Sequence, residues 1–415
     1  MTQPGLIDRF RADRGAILVQ VAVALFTFTM MSAFVIDYGV QLVSRHQIQS
    51  AVDAAALAGA TALAYDSYTD RADDGIVKNA TLGVAQANLV WNSPASVTPS
   101  DITFTVCPDS FDAGPSATPI LACVRVDAFR DATHLNALPS YVGQLLGVSS
   151  MGVAASATGE ARDANATDCL KPLAIPDRWS ERYPTNPGTW STSSTFDKWN
   201  PLSPTDLLLP QPDSYTAPTG LSSGTGMKIT IEFGTQVVLN PGATASPVTT
   251  IKPWRYLAVQ IPGSVQGPNN VLGNLKQCAA ASVAVGDRLN LIAGSVNADV
   301  VAGLQNLVSR DPAASWDLAT LRVVNSCADT WPRCASMSPR VIALPVYNPN
   351  DLADASVGGA TSVKVSNIVG FFISSVDPVT ANATGYVTRH PGLINAAAPI
   401  LIDASTFLRA SLLVK

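Results

Sequence analysis

The sequence is poor in the residues from which nucleic-acid and metal sites are built. Charged residues make up 14% of the 415-residue chain, and the formal net charge is −5. No Lys/Arg run is present, so nucleic acid is not an expected partner. The three histidines, His46, His134 and His390, are far apart and fit no HExxH motif or Cys/His spacing. We therefore expect neither a protein-bound metal nor any other cofactor.

Internal repeats are also missing. No segment recurs at a fixed period, which excludes solenoid and propeller folds. Hydrophobic residues account for 47% of the chain and the mean hydropathy is +0.21. A chain of this length and composition can fill at least one hydrophobic core, and we expect two. The low charge excludes a highly charged, cytosolic helical protein.

An uncharged, strongly apolar stretch covers residues 15–36. About 20 such residues span a bilayer as a helix. A secretory signal peptide has a shorter apolar region of roughly 7–15 residues and ends in a small-residue cleavage site, whereas this stretch ends in Ile36-Asp37-Tyr38. The pattern therefore predicts a membrane anchor that stays in the mature protein, rather than a buried core helix.

The arginines on either side of this stretch predict its orientation. Arg9, Arg11 and Arg14 precede it, and only Arg45 follows within the next turns. The positive-inside rule then places residues 1–14 in the cytoplasm and the rest of the chain on the exported side of the membrane. The protein is thus expected to cross the plasma membrane once, with the lipid bilayer as its first partner.

All cysteines lie on the expected exported side and none forms a CxxC motif, so disulfides are favoured over metal or thiol redox chemistry. They are Cys107, Cys123, Cys169, Cys278, Cys327 and Cys334.

Strand alternation predicts one of the cysteine pairs. In residues 101–107 and 120–126 the even positions carry the apolar set, and Cys107 and Cys123 both fall on the opposite face. These two cysteines are expected to meet across a hairpin. Cys327 and Cys334 are close in sequence and suit a local bridge, which leaves Cys169 to pair with Cys278. Other connectivities remain possible from the sequence.

The first part of the exported region, residues 37–161, predicts a helical stem and a small α+β unit. The apolar helix is expected to continue without a break to Ala64, with small residues along one face at Ala51, Ala54, Ala55, Ala58 and Ala62. A second helix is expected over residues 71–91 from its apolar period. The cysteine hairpin follows, then a short helix over residues 141–146 and a strand over 148–158.

The second part, residues 162–415, predicts a β-rich domain that begins with a loop-rich segment at 177–226, where proline, serine and threonine are frequent. The expected strands are residues 227–239, 255–261, 340–347, 363–374 and 385–389. The expected inserted helices are residues 291–308 and 316–321. The predicted fold class is α+β.

One stretch matches a catalytic motif. Gly220-Leu221-Ser222-Ser223-Gly224 has the GxSxG pattern of a serine-hydrolase elbow, which needs a strand before the serine and a helix after it. Prolines precede the motif and a predicted strand follows it, so a flexible turn is the better interpretation. An exported hydrolase that uses Ser222 is the least favoured alternative, and no catalytic residue is predicted.

Three stretches approach metal motifs without completing them. Residues 163–168 resemble a calcium loop, but position six lacks glycine and Ala174 stands where the bidentate glutamate is needed. Residues 354–358 and 403–407 approach the DxSxS pattern of von Willebrand A domains, and each lacks the second serine.

The N-terminal region resembles the TadE/TadG-like proteins of the tight-adherence (Flp) pilus system. The blocks that carry the resemblance are Arg14-Gly15, Asp37-Tyr38-Gly39, Gln47-Ile48-Gln49 and Asp53-Ala54-Ala55-Ala56-Leu57-Ala58-Gly59-Ala60. Further blocks look like the exported region of TadG-like proteins: Cys169-Leu170-Lys171-Pro172, residues 175–179, residues 338–347 and residues 369–373.

The resemblance implies a bacterial, single-pass inner-membrane protein with a pilin-like unit that serves pilus assembly, secretion or surface adhesion without enzymatic activity. Other pilus-assembly membrane proteins are the implied partners, and the small-residue face of the stem permits self-association. The alternative is a pilin-like subunit cleaved after Gly15. Cleaved members of the system carry a glutamate five residues after that glycine, and Gln20 stands there, so we expect the leader to be retained.

Overall fold

The computed structural model describes residues 6–65, 75–107, 123–185, 188–199, 208–242, 250–279, 281–326, 337–354 and 361–414. The chain divides into two compact units. Unit 1 comprises residues 1–62, 70–160 and 412–415, and unit 2 comprises residues 63–69 and 161–411. Both contain helices and sheets, and the N-terminal element is a single long, apolar helix, as predicted.

From the N-terminal helix through β7, the described residues form two helices, seven short or medium strands and two 3-10 helices. They are α1 (Leu6–Tyr65), α2 (Ile76–Ala87), β1 (Leu89–Val90), β2 (Ser93–Pro94), the 3-10 helix Pro99–Asp101, β3 (Ile102–Thr105), β4 (Cys123–Arg130), β5 (Leu138–Pro139), the 3-10 helix Gly143–Leu146, β6 (Ser150–Met151) and β7 (Val153–Asp163).

Strands β3, β4 and β7 form an antiparallel arrangement in which Thr105 lies opposite Cys123 and Cys123 lies opposite Glu160. The second half of α1 packs on these strands. A Cβ atom added at Gly159 of β7 would overlap the carbonyl oxygen of Ala56. The helix and the strand therefore approach each other as closely as their backbones allow.

The helix predicted over residues 71–91 is shorter in the structure. It ends at Ala87, and β1 and β2 form a hairpin directly after it. Trp91 and Asn92 both have positive φ angles, 48° and 60°, which reverse the chain and cannot continue a helix. The predicted residues 71–74 lie outside the described part of the chain.

Unit 2 contains the remaining elements. They are β8 (Ala166–Thr167), β9 (Leu173–Pro176), α3 (Ile229–Glu232), β10 (Gln236–Pro241), β11 (Arg255–Ala258), α4 (Val271–Lys276), β12 (Val283–Ala284), β13 (Arg288–Asn290), α5 (Asn297–Arg310), β14 (Ser315–Asp317), β15 (Arg322–Val324), β16 (Val341–Tyr347), α6 (Pro349–Ala353), β17 (Ser362–Val376), β18 (Ala383–Thr388), β19 (His390–Pro391), the 3-10 helix Asp403–Ser405 and β20 (Leu408–Val414), whose last residues belong to unit 1.

The main sheet of unit 2 closes on itself. Its order is β13-β17-β16-β9-β11-β10-β18, and β18 pairs back onto β17. Every residue of β16 is buried. Ile342, Leu344 and Val346 enter one hydrophobic cluster, and Ala343 and Tyr347 enter another. A strand covered on both faces needs a nearly continuous apolar sequence, which is why this stretch does not alternate with polar residues.

Two predictions for unit 2 are wrong in detail. The expected strand over residues 227–239 begins as helix α3 and becomes a strand only at Gln236. The Glu232 carboxylate accepts a hydrogen bond of 2.8 Å from the Lys228 backbone N–H, and it pairs with the Arg178 guanidinium at 2.7 Å. These contacts close a helical turn where the apolar alternation favours a strand.

The expected helix over residues 316–321 is the hairpin β14–β15. The Asp317 carboxylate accepts hydrogen bonds from the Ala319 N–H at 2.9 Å and the Thr320 hydroxyl at 2.6 Å. Leu321 then has a positive φ of 51°. An aspartate turn of this kind competes successfully with the helix.

Candidate functional site

The first half of α1 is an apolar surface that no described part of the chain covers. Helix residues 17–64 include an 18-residue window of mean hydropathy 2.1, and none of that window is buried. Phe26, Phe28 and Phe34 are each about two-thirds exposed. A core helix of a soluble protein would bury such side chains, whereas the described chain leaves them exposed. By length and composition, this segment can cross a membrane.

Two hydroxyl groups in this half are satisfied within the helix. The Thr27 hydroxyl donates to the Val23 carbonyl and the Thr29 hydroxyl donates to the Leu25 carbonyl, both at 2.8 Å. A hydroxyl bonded to its own helix needs no water. The segment can therefore enter a hydrocarbon environment without leaving these donors unpaired.

Asp37, the first charged residue after the apolar stretch, is held by a distant loop. Its carboxylate accepts hydrogen bonds from the Ser140 hydroxyl at 2.7 Å and from the backbone N–H groups of Tyr141 at 2.9 Å and Gly143 at 2.7 Å. The Val142 N–H adds a longer bond at 3.2 Å. Only 8% of Asp37 is exposed. Asp37 is therefore the attachment point of the 140–143 loop on the stem.

These donors also favour the ionised carboxylate. The Ser140 hydroxyl, helped by the loop N–H groups and opposed by partial desolvation, lowers the pKa of Asp37 below its ordinary value. In the sequence, Asp37 is marked only by its place after the apolar stretch and by the Asp37-Tyr38-Gly39 block. The contact partners lie more than 100 residues away in the chain, and no local pattern identifies them.

The other motif residues of α1 pack the stem against the rest of unit 1. Ile48 is fully buried. The Gln47 side-chain oxygen accepts a hydrogen bond of 2.8 Å from the Trp91 N–H. The Gln49 amide donates to Asp53 at 2.8 Å and to the Ser156 carbonyl at 3.3 Å. These residues connect the stem to β7 and to the β1–β2 turn.

Some of the small residues of the stem also pack within unit 1. Ala51 and Ala55 are fully buried within the chain, so this part of the face is not available to a second helix. Ala54, Ala58 and Ala62 are partly exposed. Of the two residues tied to leader processing, Gly15 lies within α1 and Gln20 is exposed on it.

Two disulfides are present among the described residues, and both join cysteines that strand alternation and elimination had paired. Cys107 and Cys123 close the β3–β4 hairpin with Cα atoms 5.2 Å apart. Cys169 and Cys278 enclose a much longer segment, with a sequence separation of 109. The predicted bridge between Cys327 and Cys334 lies outside the described residues.

Ser222 lies in a turn rather than at an elbow. Its backbone N–H is bonded to the Thr219 hydroxyl at 3.2 Å, and its own hydroxyl accepts from the Gly224 N–H at 3.1 Å. No strand leads into residues 220–224. His390, the one histidine of unit 2, is buried with its ring nitrogen 2.7 Å from the Pro391 carbonyl.

Two acidic residues of the incomplete metal motifs have structural partners. Asp163 pairs with Arg409 at 2.8 Å, and Asp403 pairs with the same guanidinium. Asn165 is fully buried, and its amide donates to the carbonyls of Asn395 and Ala398. Within the described parts of the chain, no group of three or more His, Cys, Asp or Glu residues is placed to hold a metal ion.

Asp177 is a second buried carboxylate that the sequence did not single out for a role. It is fully buried and accepts four hydrogen bonds, from the N–H groups of Arg178 and Met227 and from the hydroxyls of Tyr215 and Ser366, at 2.7–3.0 Å. Desolvation raises its pKa against these donors. Its hydrogen bonds join Tyr215, Met227 and Ser366, which are distant in sequence, to the end of β9, where the loop-rich segment begins.

Comparison with protein families gives a match at the N-terminal helix. Residues 15–62 match the Tad family model, which describes Flp pilus-assembly TadE/G-like proteins. The match covers most of α1 and supports a relation to the Tad pilus family. No curated protein and no solved structure matches the chain.

Proposed function

We propose that this protein is a non-enzymatic, single-pass component of a Tad/Flp-type pilus assembly or secretion apparatus in the bacterial inner membrane. The observation that carries the proposal is the uncovered apolar half of α1, which falls inside the 15–62 region that matches the Tad family model. In this proposal residues 1–14 are cytoplasmic, residues 15–36 span the membrane, and residues 37–161 and 162–415 form the exported stem unit and the exported scaffold domain.

Four sequence blocks favour a TadG-like over a TadE-like protein, and three of them overlap β9, β16 and β17. The block at β9 is far in sequence from the other two. In the fold, β9 pairs with β16 and β16 pairs with β17. The blocks that resemble the TadG-like exported region thus occupy neighbouring strands of one sheet, which supports a shared domain rather than scattered coincidences.

The disulfides support export. Stable disulfides form in oxidising compartments such as the periplasm, and the Cys107–Cys123 and Cys169–Cys278 bridges both follow the proposed span. The exported domain then acts as a rigid scaffold that binds other pilus-assembly membrane proteins.

A pilin-like subunit is the second candidate. Unit 1 favours it, because α1 is uncovered in its first half and packed on antiparallel strands in its second half, which suits a subunit that passes from the membrane into a filament. Gln20 argues against it, since a neutral amide cannot compensate the ammonium that cleavage after Gly15 would bury.

Deletion and complementation test the proposal. We expect a strain that lacks the protein to lose its Flp-type surface pili, and both the unaltered protein and Ser222→Ala to restore them. Membrane pull-downs with the tagged full-length chain should recover other Tad membrane components. Normal piliation in the deletion strain, or an esterase activity that Ser222→Ala abolishes, would contradict the proposed function.

A further inference from the structure

We infer that the loop of residues 141–148, which Asp37 ties to the stem, is a second membrane-contacting element that lies in the lipid headgroup region beside the anchor. This inference rests on the proposed function only in that it requires α1 to span a bilayer. The occupant of the loop's exposed face is then the lipid surface itself.

The height of the loop follows from the helix. Residues 15–36 rise about 33 Å at about 1.5 Å per residue, close to the roughly 30 Å of a bilayer's hydrocarbon core. Asp37 therefore lies at the edge of that core. Because Asp37 accepts hydrogen bonds from Ser140, Tyr141 and Gly143, the loop is fixed at the same height.

The loop has a backbone conformation that fits the Asp37 carboxylate. A Cβ atom added at Gly143 would lie 3.1 Å from the Asp37 carboxylate and would overlap the Ser140 hydroxyl, so glycine gives the carboxylate room to approach. The loop is closed by a hydrogen bond of 2.9 Å from the Val148 N–H to the Gly143 carbonyl. Gly147, with a φ of 84°, makes the turn between them.

The chemistry of the loop suits a headgroup layer. No charged residue occurs between His134 and Glu160. Tyr141 is 55% exposed and Val148 is 50% exposed, and Tyr38 on the adjacent helix is 50% exposed. Tyrosine is enriched where a membrane meets water, because its ring is apolar and its hydroxyl is polar. An uncharged, partly apolar loop at the end of a span gains free energy by entering this layer.

Site-specific photocrosslinking of the full-length protein tests the inference. A benzophenone side chain is placed at position 141, at position 26 in the span, or at position 106, and each protein is reconstituted into phosphatidylethanolamine–phosphatidylglycerol vesicles. Val106 is the matched control, because it is 46% exposed and follows β3 at the end of the strands remote from the start of β7.

We expect lipid adducts at positions 26 and 141, with the yield at position 141 severalfold above that at position 106. Asp37→Asn should lower the yield at position 141 and leave that at position 26 unchanged, and an intact Cys107–Cys123 disulfide would show that the variant is folded. Adducts at position 26 with none above control at 141 would overturn the loop inference alone, as would crosslinks from position 141 to protein only. Failure at position 26 would instead contradict the membrane anchor.

Discussion

At the scale of single residues, neutral donors and acceptors rather than counter-ions satisfy several buried charges. Asp37 and Asp177 are bound by hydroxyls and backbone N–H groups. The Arg340 guanidinium donates to four backbone carbonyls, among them Ile373 at 2.8 Å and Ala314 at 2.7 Å. Each of these groups joins segments that are distant in sequence, so each is expected to stabilise the fold more than a surface ion pair does.

Asp177→Ala should destabilise unit 2 by about 3 kcal/mol or more, because the Tyr215 and Ser366 hydroxyls and the Met227 N–H would lose a buried acceptor. Urea unfolding of the detergent-purified protein, followed by tryptophan fluorescence, measures the change. Asp377→Ala is the control. Asp377 is exposed and bonds only within its own turn to Val379 and Thr380, so its loss should cost about 1 kcal/mol or less. Equal effects of the two substitutions would contradict the role of Asp177.

His390 should make stability depend on mildly acidic pH. Burial, with a smaller contribution from the charge of Lys171, lowers the pKa of His390 from 6.5 to about 4. Between these values the unfolded chain binds a proton that the folded chain does not, so stability is full above pH 6.5 and falls as the pH drops toward 4. The loss from this one group amounts to at most about 3 kcal/mol.

The test compares unfolding free energies of the unaltered protein and His390→Gln from pH 7 to 4. The difference between the two proteins should shrink as the pH falls, whereas the exposed His46→Gln control should follow the unaltered protein throughout. A difference that stays constant over this range would show that His390 is not buried in its neutral form.

At the scale of elements, α1 is one continuous helix whose two halves differ in character. The first half is apolar on all sides and has no cover. The second half has one buried face, with Ile48, Ala51 and Ala55 fully inaccessible. The alanine-rich block is therefore explained by its close approach to β7.

Gly159→Ala should destabilise unit 1 by about 1–3 kcal/mol, because the added methyl would overlap the Ala56 carbonyl and lie 3.0 Å from the Ala60 side chain. Gly83→Ala is the matched control. Gly83 lies within α2 with nothing within 4 Å of its added methyl, so this substitution should stabilise by about 0.5–1 kcal/mol through helix propensity. Thermal melts with limited proteolysis distinguish them, and a neutral Gly159→Ala would contradict the close packing of stem and strand.

At the scale of the whole molecule, the apolar helix, the disulfides and the low charge all support the proposal of an exported body held at a membrane. We expect residues 1–14 to be cytoplasmic and residues 65–415 exported. Fusions of a periplasm-dependent reporter should be inactive after Gly5 and active after Lys415. The reverse result would show the opposite topology, and the disulfides would then no longer support export of the chain.

We also expect the mature protein to retain its first 15 residues, because Gln20 supplies no carboxylate to pair with a new N-terminal amine at Ala16. Intact-mass measurement of the membrane-purified protein decides this directly. A chain that begins at Ala16 would place the pilin-like subunit above the anchored assembly component.

The sequence alone determined the features that depend on neighbouring residues. These are the apolar run, the unbroken helix as far as Ala64, the β3–β4 hairpin with its cysteines, and the strands at 340–347 and 363–374. Each depends on composition or on a periodicity of side chains along one segment, which is present in the chain before it folds.

Only the tertiary structure decided which distant segments meet. The loop bound to Asp37, the four donors around Asp177 and the pairing of β10 with β18 all join residues without a shared local pattern. Tertiary contacts also overrode local preference where Glu232 and Arg178 stabilise a helical turn in an expected strand. The physical reason is that a buried charge is stable only where the complete fold brings its partners together.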